Sequence, residues 1–261
     1  MAITKVRYAN SGGSNVRNSA AGSVIITVDQ GNLMYDIPGE KTVIAKLNGT
    51  TYTWVRVYYY KIEKDNSTTQ GSGWVAMSTT TEVSTSVPGK SSVISSNTKL
   101  KQNQMLINAR YIYNYLIKNK KKWSNNAICG MLGNMEMEST INPGHWQDEK
   151  VNTAKGYGLT QWTPSTNYTN WLGSGKTPGD IDNQLERILY EVTHENEQWV
   201  SGNYSPSMSF ADFTTSSSST TALAECFLKC YEKPTDQSSS VIKNRKDNAS
   251  KWSTLIGFLV S

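Results

Sequence analysis

One acidic residue, Glu138, lies near the end of a predicted helix, in surroundings that suit acid catalysis. Helical steps of three and four residues place it on the same face as Ala127, Met131 and Met135, so this face is largely apolar. A carboxylate on a buried face is costly unless it is paired or protonated, and burial raises the pKa of a carboxyl group. A carboxyl group in such surroundings would suit a general acid.

The neighbouring segments fix the position of this carboxyl group. The run Asn142-Pro143-Gly144 is expected to stop the helix shortly after Glu138. Glu136 lies only two residues before Glu138 and is predicted to point to nearly the opposite side, away from any site. Residues 156–162 are predicted to form a tight turn or a short hairpin.

Motifs in this region resemble those of the lysozyme-like superfamily that cleaves peptidoglycan, which includes goose-type lysozymes and lytic transglycosylases. Its patterns E-S-x-x-N-P and G-x-G-L-x-Q are similar to residues 138–143 and 156–161 of this chain. The resemblance is strongest to the lysozyme domains of phage tail proteins and endolysins. Their further motifs match residues 130–134, the Tyr-Glu-Lys-Pro run at 231–234, and an ending in Arg245, Ala249 and Trp252. The similarity covers roughly residues 100–261.

This resemblance implies a mainly α (α+β) lysozyme-like domain that cleaves the glycan backbone of bacterial peptidoglycan, with Glu138 as the acid. It also implies that the segment after the helix lines a sugar groove. Gln161 would supply an amide for sugar hydroxyls, Tyr157 and Trp162 would supply flat apolar surfaces, and Asn142 would complete the substrate-binding set.

The resemblance does not decide whether the glycosidic bond is cleaved by hydrolysis or by lytic transglycosylation. An inverting hydrolase places a second carboxylate about 6.5–9.5 Å from the acid to activate water. Asp148 and Glu149 lie in the loop where goose-type enzymes carry an aspartate, and they are the candidates for this role. A lytic transglycosylase needs no such group, because the muramyl 6-hydroxyl attacks internally. Hydrolysis between N-acetylmuramic acid and N-acetylglucosamine is the preferred prediction, with transglycosylation as the alternative.

The first part of the chain is predicted to be a small all-β barrel. Residues 24–28 and 53–60 are rich in β-branched and aromatic residues, and turn-forming residues separate such runs. Residues 15–17, 54–57 and 73–75 resemble three motifs of bacterial SH3 domains. The usual G-P-G of the opening motif is missing, and residues 61–70 are an insertion between the last two motifs.

The SH3 resemblance implies a module that binds the cell wall. Trp54 and Trp74 either fill the core of the barrel or contact the wall, and Tyr58 and Tyr60 are expected to be exposed ligand contacts. The predicted organisation is therefore an SH3-like wall-binding domain at 1–88, a linker at 89–98 and a lysozyme-like catalytic domain at 99–261.

Four further helices are predicted in the second domain, beginning near Lys99, at Asp180, near 222 and near 241. Asp180 or its neighbour is expected to cap the second of these. The buried stripe of that helix is predicted to comprise Ile181, Leu185, Ile188 and Val192.

Charge and composition narrow the partners. The net charge of +5 favours anionic partners. Anionic polymers of the bacterial wall fit this charge and are predicted as partners beside peptidoglycan. Basic and aromatic residues are not clustered as nucleic-acid binding requires, and the basic run 118–122 is predicted to be a solvated helix end. No cofactor is predicted. The two histidines form no ligand pattern, so no metal is expected, and the three cysteines are predicted to be buried and reduced.

The sequence also carries an expectation about location. Its first residues lack an apolar targeting segment, and no stretch of 18 apolar residues predicts a membrane span. We therefore expect synthesis in a host cytoplasm, followed by release through a phage membrane pore or carriage on a virion. A catalytically inactive phage-tail protein that only binds the wall is the remaining alternative, and the intact Glu138 and Gln161 argue against it.

Overall fold

A computed structural model describes residues 4–63, 68–118, 123–194 and 198–260. These residues form two compact units. The first unit lies within Met1–Ser86, Lys101–Gln104 and Leu255–Ser261, and the second within Val87–Leu100 and Met105–Thr254.

The first unit contains an antiparallel sheet. Its strands are β1 (Val6–Ala9), β2 (Ser14–Arg17), β3 (Val24–Val28), β4 (Leu33–Asp36), β5 (Val43–Leu47), β6 (Thr50–Ile62), β7 (Thr68–Ala76) and β8 (Thr80–Glu82). The order across the sheet is β3-β2-β7-β6-β4-β1-β8, and β5 pairs with β6 beside this path. The predicted insertion at 61–70 extends β6 and β7, and its residues 64–67 lie outside the described chain.

The predicted closure of this sheet into a barrel is wrong. Strands β3 and β8 are the two ends of the order, and no pairing among the described strands joins them. Within the long strand β6, residues 50–54 pair with β5 beside the main path, residues 57–59 pair with β4, and residues 54–62 pair with β7. Ile25 on β3 and Ile44 on β5 are exposed, so the described residues do not cover these two side chains.

The core of the first unit is apolar and lies on one face of the sheet. It comprises Ala9, Val16, Val28, Met34, Val55, Val57, Tyr59 and Val75. Trp54 is also buried, and its Nε1 donates to the Ala45 carbonyl oxygen over 3.2 Å. Tyr60 is buried rather than exposed, while Tyr58 and Trp74 are half-buried.

The rest of the chain is mainly helical. The helices are α1 (Gln102–Ile117), α2 (Asn125–Ser139), α3 (Thr166–Leu172), α4 (Ile181–Thr193), α5 (Phe210–Thr215), α6 (Thr220–Phe227) and α7 (Ser239–Val260). A π-helical turn, Leu228–Glu232, continues α6. Helix α1 begins three residues after the predicted start at Lys99. Of the predicted basic helix end at 118–122, residues 119–122 lie outside the described chain.

Helix α4 confirms its predicted start and its predicted buried face. The Asp180 carboxylate accepts a hydrogen bond from the Asp182 backbone N–H over 3.0 Å, which caps the helix. The four residues of the predicted stripe are all buried: Ile181, Leu185, Ile188 and Val192.

The segment predicted as a linker is bonded to the helical unit. The Asn108 side chain accepts from the Ile94 backbone N–H over 2.9 Å and donates to the Ile94 carbonyl oxygen over 2.8 Å. Two residues on, the Ser96 backbone N–H donates to Asn142 Oδ1 over 3.1 Å. These bonds fix residues 94–96 to α1 and to the turn after α2. The function of 89–98 as a linker stays a prediction.

Helix α2 lies very close to its neighbours in the second unit. Ser124 caps its start by accepting from the Ala127 backbone N–H over 3.1 Å. A Cβ at Gly133 would lie 2.6 Å from both the Arg245 carbonyl oxygen and the Ala249 nitrogen. Only glycine permits this approach, so α2 and α7 are in backbone contact one turn before Glu138.

The three cysteines, Cys129, Cys226 and Cys230, are buried and unbridged, which confirms their predicted burial. No helix in the described part of the chain combines the length and the apolar character needed to cross a membrane.

Candidate active site

A cleft of about 710 Å³ lies in the second unit beside the C-terminal end of α2. Most of its walls are polar, and two of its lining side chains are carboxyl groups. Its described lining residues are Glu138, Gln147, Thr160, Gln161, Thr163, Gln198, Glu232, Lys233, Pro234 and Thr235. Of the predicted site residues, the cleft therefore brings together Glu138 and Gln161.

Glu138 lies on the predicted face of α2 but forms an ion pair. Arg245 Nη2 on α7 donates to Glu138 Oε1 over 2.6 Å. Nη1 of the same guanidinium lies 3.1 Å from Oδ1 of Asn134, one turn earlier on α2. The Glu138 side chain retains 21% exposure and the Arg245 side chain only 6%, so the acid is open to the cleft while its partner is buried.

Glu136 points away from Glu138, as predicted, into the contact with α7. Its two carboxylate oxygens accept from Lys251 Nζ over 2.6 Å and from Trp252 Nε1 over 2.8 Å. Glu136, Lys251 and Trp252 are all buried. Two acidic residues of α2 are thus bonded to the same neighbouring helix, one at the cleft and one in the core.

Glu232 is the second carboxyl group of the cleft, and the sequence analysis did not single it out. Its Oε1 is buried and has no hydrogen-bond partner among the described residues. Burial raises the pKa of Glu232 well above its ordinary value, the negative charge of Glu138 raises it further, and Arg245 opposes both. The available signal is the Tyr-Glu-Lys-Pro run at 231–234, which entered only as a motif of the family resemblance.

The local backbone explains why Glu232 enters the cleft. The π-helical turn ends at Glu232, and Lys233 adopts the left-handed region with φ 49° and ψ 47°. Lys233 Nζ donates to the Gln198 carbonyl oxygen. The chain therefore turns sharply just after Glu232, and residues 232–235 all line the cleft.

Gln161 enters the cleft from the turn that follows α2. Its Nε2 donates to the carbonyl oxygens of His145 over 3.0 Å and Gly158 over 2.9 Å. Gly158 has φ +80°, and a Cβ there would lie 2.6 Å from the Gln184 amide oxygen. The glycine therefore permits the turn that presents Gln161.

The remaining predicted sugar contacts are buried. Asn142 Nδ2 donates to the carbonyl oxygens of Ser96 over 2.7 Å and Thr98 over 2.8 Å. Tyr157 and Trp162 are 5% and 3% exposed. None of the three is among the described residues that line the cleft.

A buried carboxylate, Glu191 on α4, connects this turn to the segment of Glu232. Its Oε1 accepts from Trp162 Nε1 over 3.1 Å and from Arg187 Nε over 2.7 Å. The Tyr231 hydroxyl donates to Oε2 of the same group. Burial raises the pKa of Glu191, and the hydrogen bond from Tyr231 and the charge of Arg187 oppose that shift. Glu191 thus fixes the neighbours of both Gln161 and Glu232.

Asp148 and Glu149 are exposed and lie outside the described lining of the cleft, although Gln147, the first residue of the same turn, lines it. Glu149 Oε1 accepts from the Lys99 backbone N–H over 3.3 Å, and its carbonyl oxygen accepts from Asn97 Nδ2 over 2.9 Å. Their assignment as water-activating carboxylates stays a prediction.

Comparison with known proteins covers the region of this cleft. Residues 107–256 match the family described as phage tail lysozyme. Over 142 residues the chain is 49% identical to morphogenesis protein 1 of Bacillus phage B103, a match that covers 54% of this chain and 37% of that protein. The family match covers more than half of the chain and includes Glu138, Gln161, Glu232 and Arg245. The chain therefore belongs to the phage tail lysozyme family.

Proposed function

We propose that this protein cleaves the glycan backbone of bacterial peptidoglycan, with Glu138 as the general acid. The observation that carries this proposal is a partly exposed glutamate at the end of α2, within a polar cleft and within the region matched by the phage tail lysozyme family. Glycosidic cleavage needs a carboxyl group beside the bond to protonate the leaving oxygen. Glu138 has the position and access for that role.

The cleft walls fit a sugar ligand. Gln161, Thr163 and Gln198 offer amide and hydroxyl groups, which pair with sugar hydroxyls and N-acetyl groups. Gln161 is our proposed direct contact. Tyr157, Trp162 and Asn142 remain part of the proposed site as the buried layer that supports the turn carrying Gln161.

The proposed reaction is hydrolysis between N-acetylmuramic acid and N-acetylglucosamine, as in a lysozyme. The competing reaction is attack by the muramyl 6-hydroxyl, as in a lytic transglycosylase. Hydrolysis leaves a reducing muramic acid end, whereas internal attack leaves an anhydro end that is one water lighter. Mass spectrometry of digested wall separates the two, and anhydro muropeptides as the main product would replace hydrolysis with transglycosylation.

The acid assignment is tested by Glu138→Gln on purified Gram-positive peptidoglycan. We expect a loss of about 10²–10⁴-fold in the lysis rate, because the variant cannot donate a proton. Glu186→Gln is the matched control, since Glu186 is an exposed glutamate on α4 outside the described lining of the cleft. Wild-type rates for Glu138→Gln would refute the assignment. Asp148→Asn and Glu149→Gln belong to the same series, and loss of activity in either would identify a water-activating group.

The first unit is proposed to target the protein to the wall, as the SH3-like motifs suggest. A cleft of about 210 Å³ in this unit is lined in part by Arg17, Tyr52 and Trp54. The Arg17 guanidinium lies 5.8 Å from the Trp54 ring centre, which gives the cleft a cationic edge and an aromatic floor. Such a site suits an anionic wall polymer or a peptide carboxylate.

Wall targeting is tested by sedimentation of the whole protein with intact walls. Tyr52→Ala should weaken sedimentation and leave cleavage of soluble glycan fragments unchanged. Tyr58→Ala, measured in parallel, tests the wall contacts predicted from sequence at Tyr58 and Tyr60. The comparison decides between those contacts and this cleft. Equal sedimentation of both variants and the wild type would remove the targeting role from both places.

Carriage on the virion is the proposed route to the wall. The matched family is named for phage tails, and the relative from phage B103 is named a morphogenesis protein. Both names favour a virion component over a released endolysin. Detection of the protein in purified particles tests this route.

A further inference from the structure

Two carboxyl groups from distant parts of the sequence line one cleft. Glu138 lies at the end of α2, and Glu232 lies at the end of the π-helical turn after α6. The two differ in their partners. Glu138 is bonded to a guanidinium at 2.6 Å, whereas Glu232 Oε1 is buried without a hydrogen-bond partner among the described residues.

We propose that Glu138 and Glu232 form one carboxyl pair that shares a single proton, and that Glu232 carries this proton before the glycan binds. The inference rests on the proposed function and adds a second acidic group to it. Both carboxyl groups line one cleft, and the negative charge of Glu138 raises the pKa of Glu232, because the charge of one group disfavours the charge of the other. Glu138 has a cation as its partner, whereas the enclosed Oε1 of Glu232 has no hydrogen-bond partner among the described residues, so Glu232 is the group that retains the proton.

The charged groups around Glu232 agree with this division. Glu138 on α2 and Glu191 on α4 both raise the pKa of Glu232, and Arg245 on α7 and the adjacent Lys233 lower it. Burial is the largest influence and favours the neutral form. Arg245 Nη2 donates to Glu138 and Nη1 donates to Asn134, while its buried Nε has no partner among the described residues. The described structure therefore contains no hydrogen bond between Arg245 and Glu232.

The pair accounts for every proton in the proposed reaction. Glu138 delivers the shared proton to the glycosidic oxygen as the bond to the anomeric carbon breaks, and the electron pair of that bond stays on the oxygen. Water, or the muramyl 6-hydroxyl, then forms the new bond to the anomeric carbon and gives its proton to the carboxylates. The pair begins and ends with one proton, and Glu232 supplies it to Glu138 in each cycle.

The resting protonation is tested without any assay of activity, by NMR titration of the protein labelled with ¹³C at glutamate carboxyl carbons. One signal should titrate above the ordinary glutamate range, and Glu232→Gln should remove it. Glu138→Gln should move that signal to lower pH, because the neighbouring negative charge is gone. Glu186→Gln should leave it unchanged. A Glu232 signal that titrates in the ordinary range would overturn the proposal.

The catalytic consequence is tested by the pH dependence of wall lysis. Glu232→Gln should reduce the rate at pH 7 by at least about 10-fold and move the alkaline limb of the profile to lower pH. Glu232→Asp, which keeps a carboxyl group, should restore part of the rate. A wild-type rate and profile for Glu232→Gln would refute the role of Glu232 alone. Wild-type protein that shows the raised titration but no lysis would support the pair and refute the proposed function.

Discussion

Arg245 Nη2 lies 2.6 Å from Glu138 Oε1, although 107 residues separate the two in the chain. The guanidinium is 6% exposed and also bonds to Asn134, so it is fixed before any substrate arrives. Because the partner is buried, water and salt screen this pair less than an ordinary surface ion pair. The orientation of the proposed acid is thus set by a helix from the far end of the catalytic unit.

Arg245→Lys should therefore lower activity although it preserves the charge. A lysine ammonium is a point charge on a flexible stem and cannot bond to Glu138 and Asn134 in the same planar arrangement. We expect a fall of roughly 10- to 100-fold in the rate of wall lysis, because small misplacements of a catalytic group are costly. Thermal unfolding, measured in parallel, separates loss of orientation from loss of fold. A lysine variant with the wild-type rate would show that the guanidinium geometry is dispensable.

Glu136→Gln should destabilise the protein and spare its chemistry. The change leaves Lys251 charged, 1% exposed and without its carboxylate. Removing one partner of a buried ion pair costs about 3–5 kcal/mol. Urea unfolding should show this loss, while the activity per folded molecule stays near that of the wild type. The double variant Glu136→Gln with Lys251→Met should recover part of the stability, and failure to do so would argue against an unpaired lysine as the cause.

Gly133→Ala should separate α2 from α7. The added Cβ would lie 2.6 Å from the backbone of Arg245 and Ala249, and backbone atoms cannot move aside as a flexible side chain can. We expect a loss of about 1–3 kcal/mol in unfolding free energy and a drop in lysis rate, because Arg245 moves with its helix. Gly202→Ala is the matched control, since a Cβ there meets no atom within 4 Å. Similar effects of the two substitutions would contradict a specific helix contact.

Glu232→Gln should raise the stability of the protein at neutral pH while lowering its activity. The folded-state pKa of Glu232 is raised, so the folded protein retains a proton that the unfolded chain releases above about pH 4.3. The Glu232 carboxyl group therefore contributes its full stabilisation of the wild type at low pH. This contribution is lost as the pH rises through the raised pKa of Glu232. The melting temperatures of variant and wild type should be similar near pH 4 and diverge in favour of the variant at pH 7. A constant difference across this range would contradict the raised pKa.

The features that the sequence predicted correctly depend on residues within one helical turn of each other. The apolar spacing around Glu138, the cap at Asp180 and the stripe of α4 all depend on neighbours three or four residues apart. The opposite direction of Glu136 followed from the same geometry. Its pairing with Lys251 did not, because that contact depends on how two helices cross.

The missed features depend on long-range packing or on unusual backbone. Glu232 enters the cleft because a π-helical turn ends at this residue and Lys233 adopts the left-handed conformation, which no local pattern in the sequence predicts. Arg245 was noted only as part of a motif, since nothing local connects it to Glu138. The open sheet has a similar origin. The strand pattern specified which residues pair, but it did not specify whether β3 would meet β8.

The bonds from α7 to α2 also affect the order of events during synthesis. Arg245 and Lys251 bond to residues 107 and 115 positions earlier, and such distant contacts form only when both partners are available. A ribosome that has made residues up to 161 has produced Glu138 and Gln161, but neither Glu232 nor the arginine that orients the acid. The proposed active site therefore forms only after translation has passed Trp252. A nascent chain interrupted before that point would contain Glu138 without the full set of contacts from α7 that orient it.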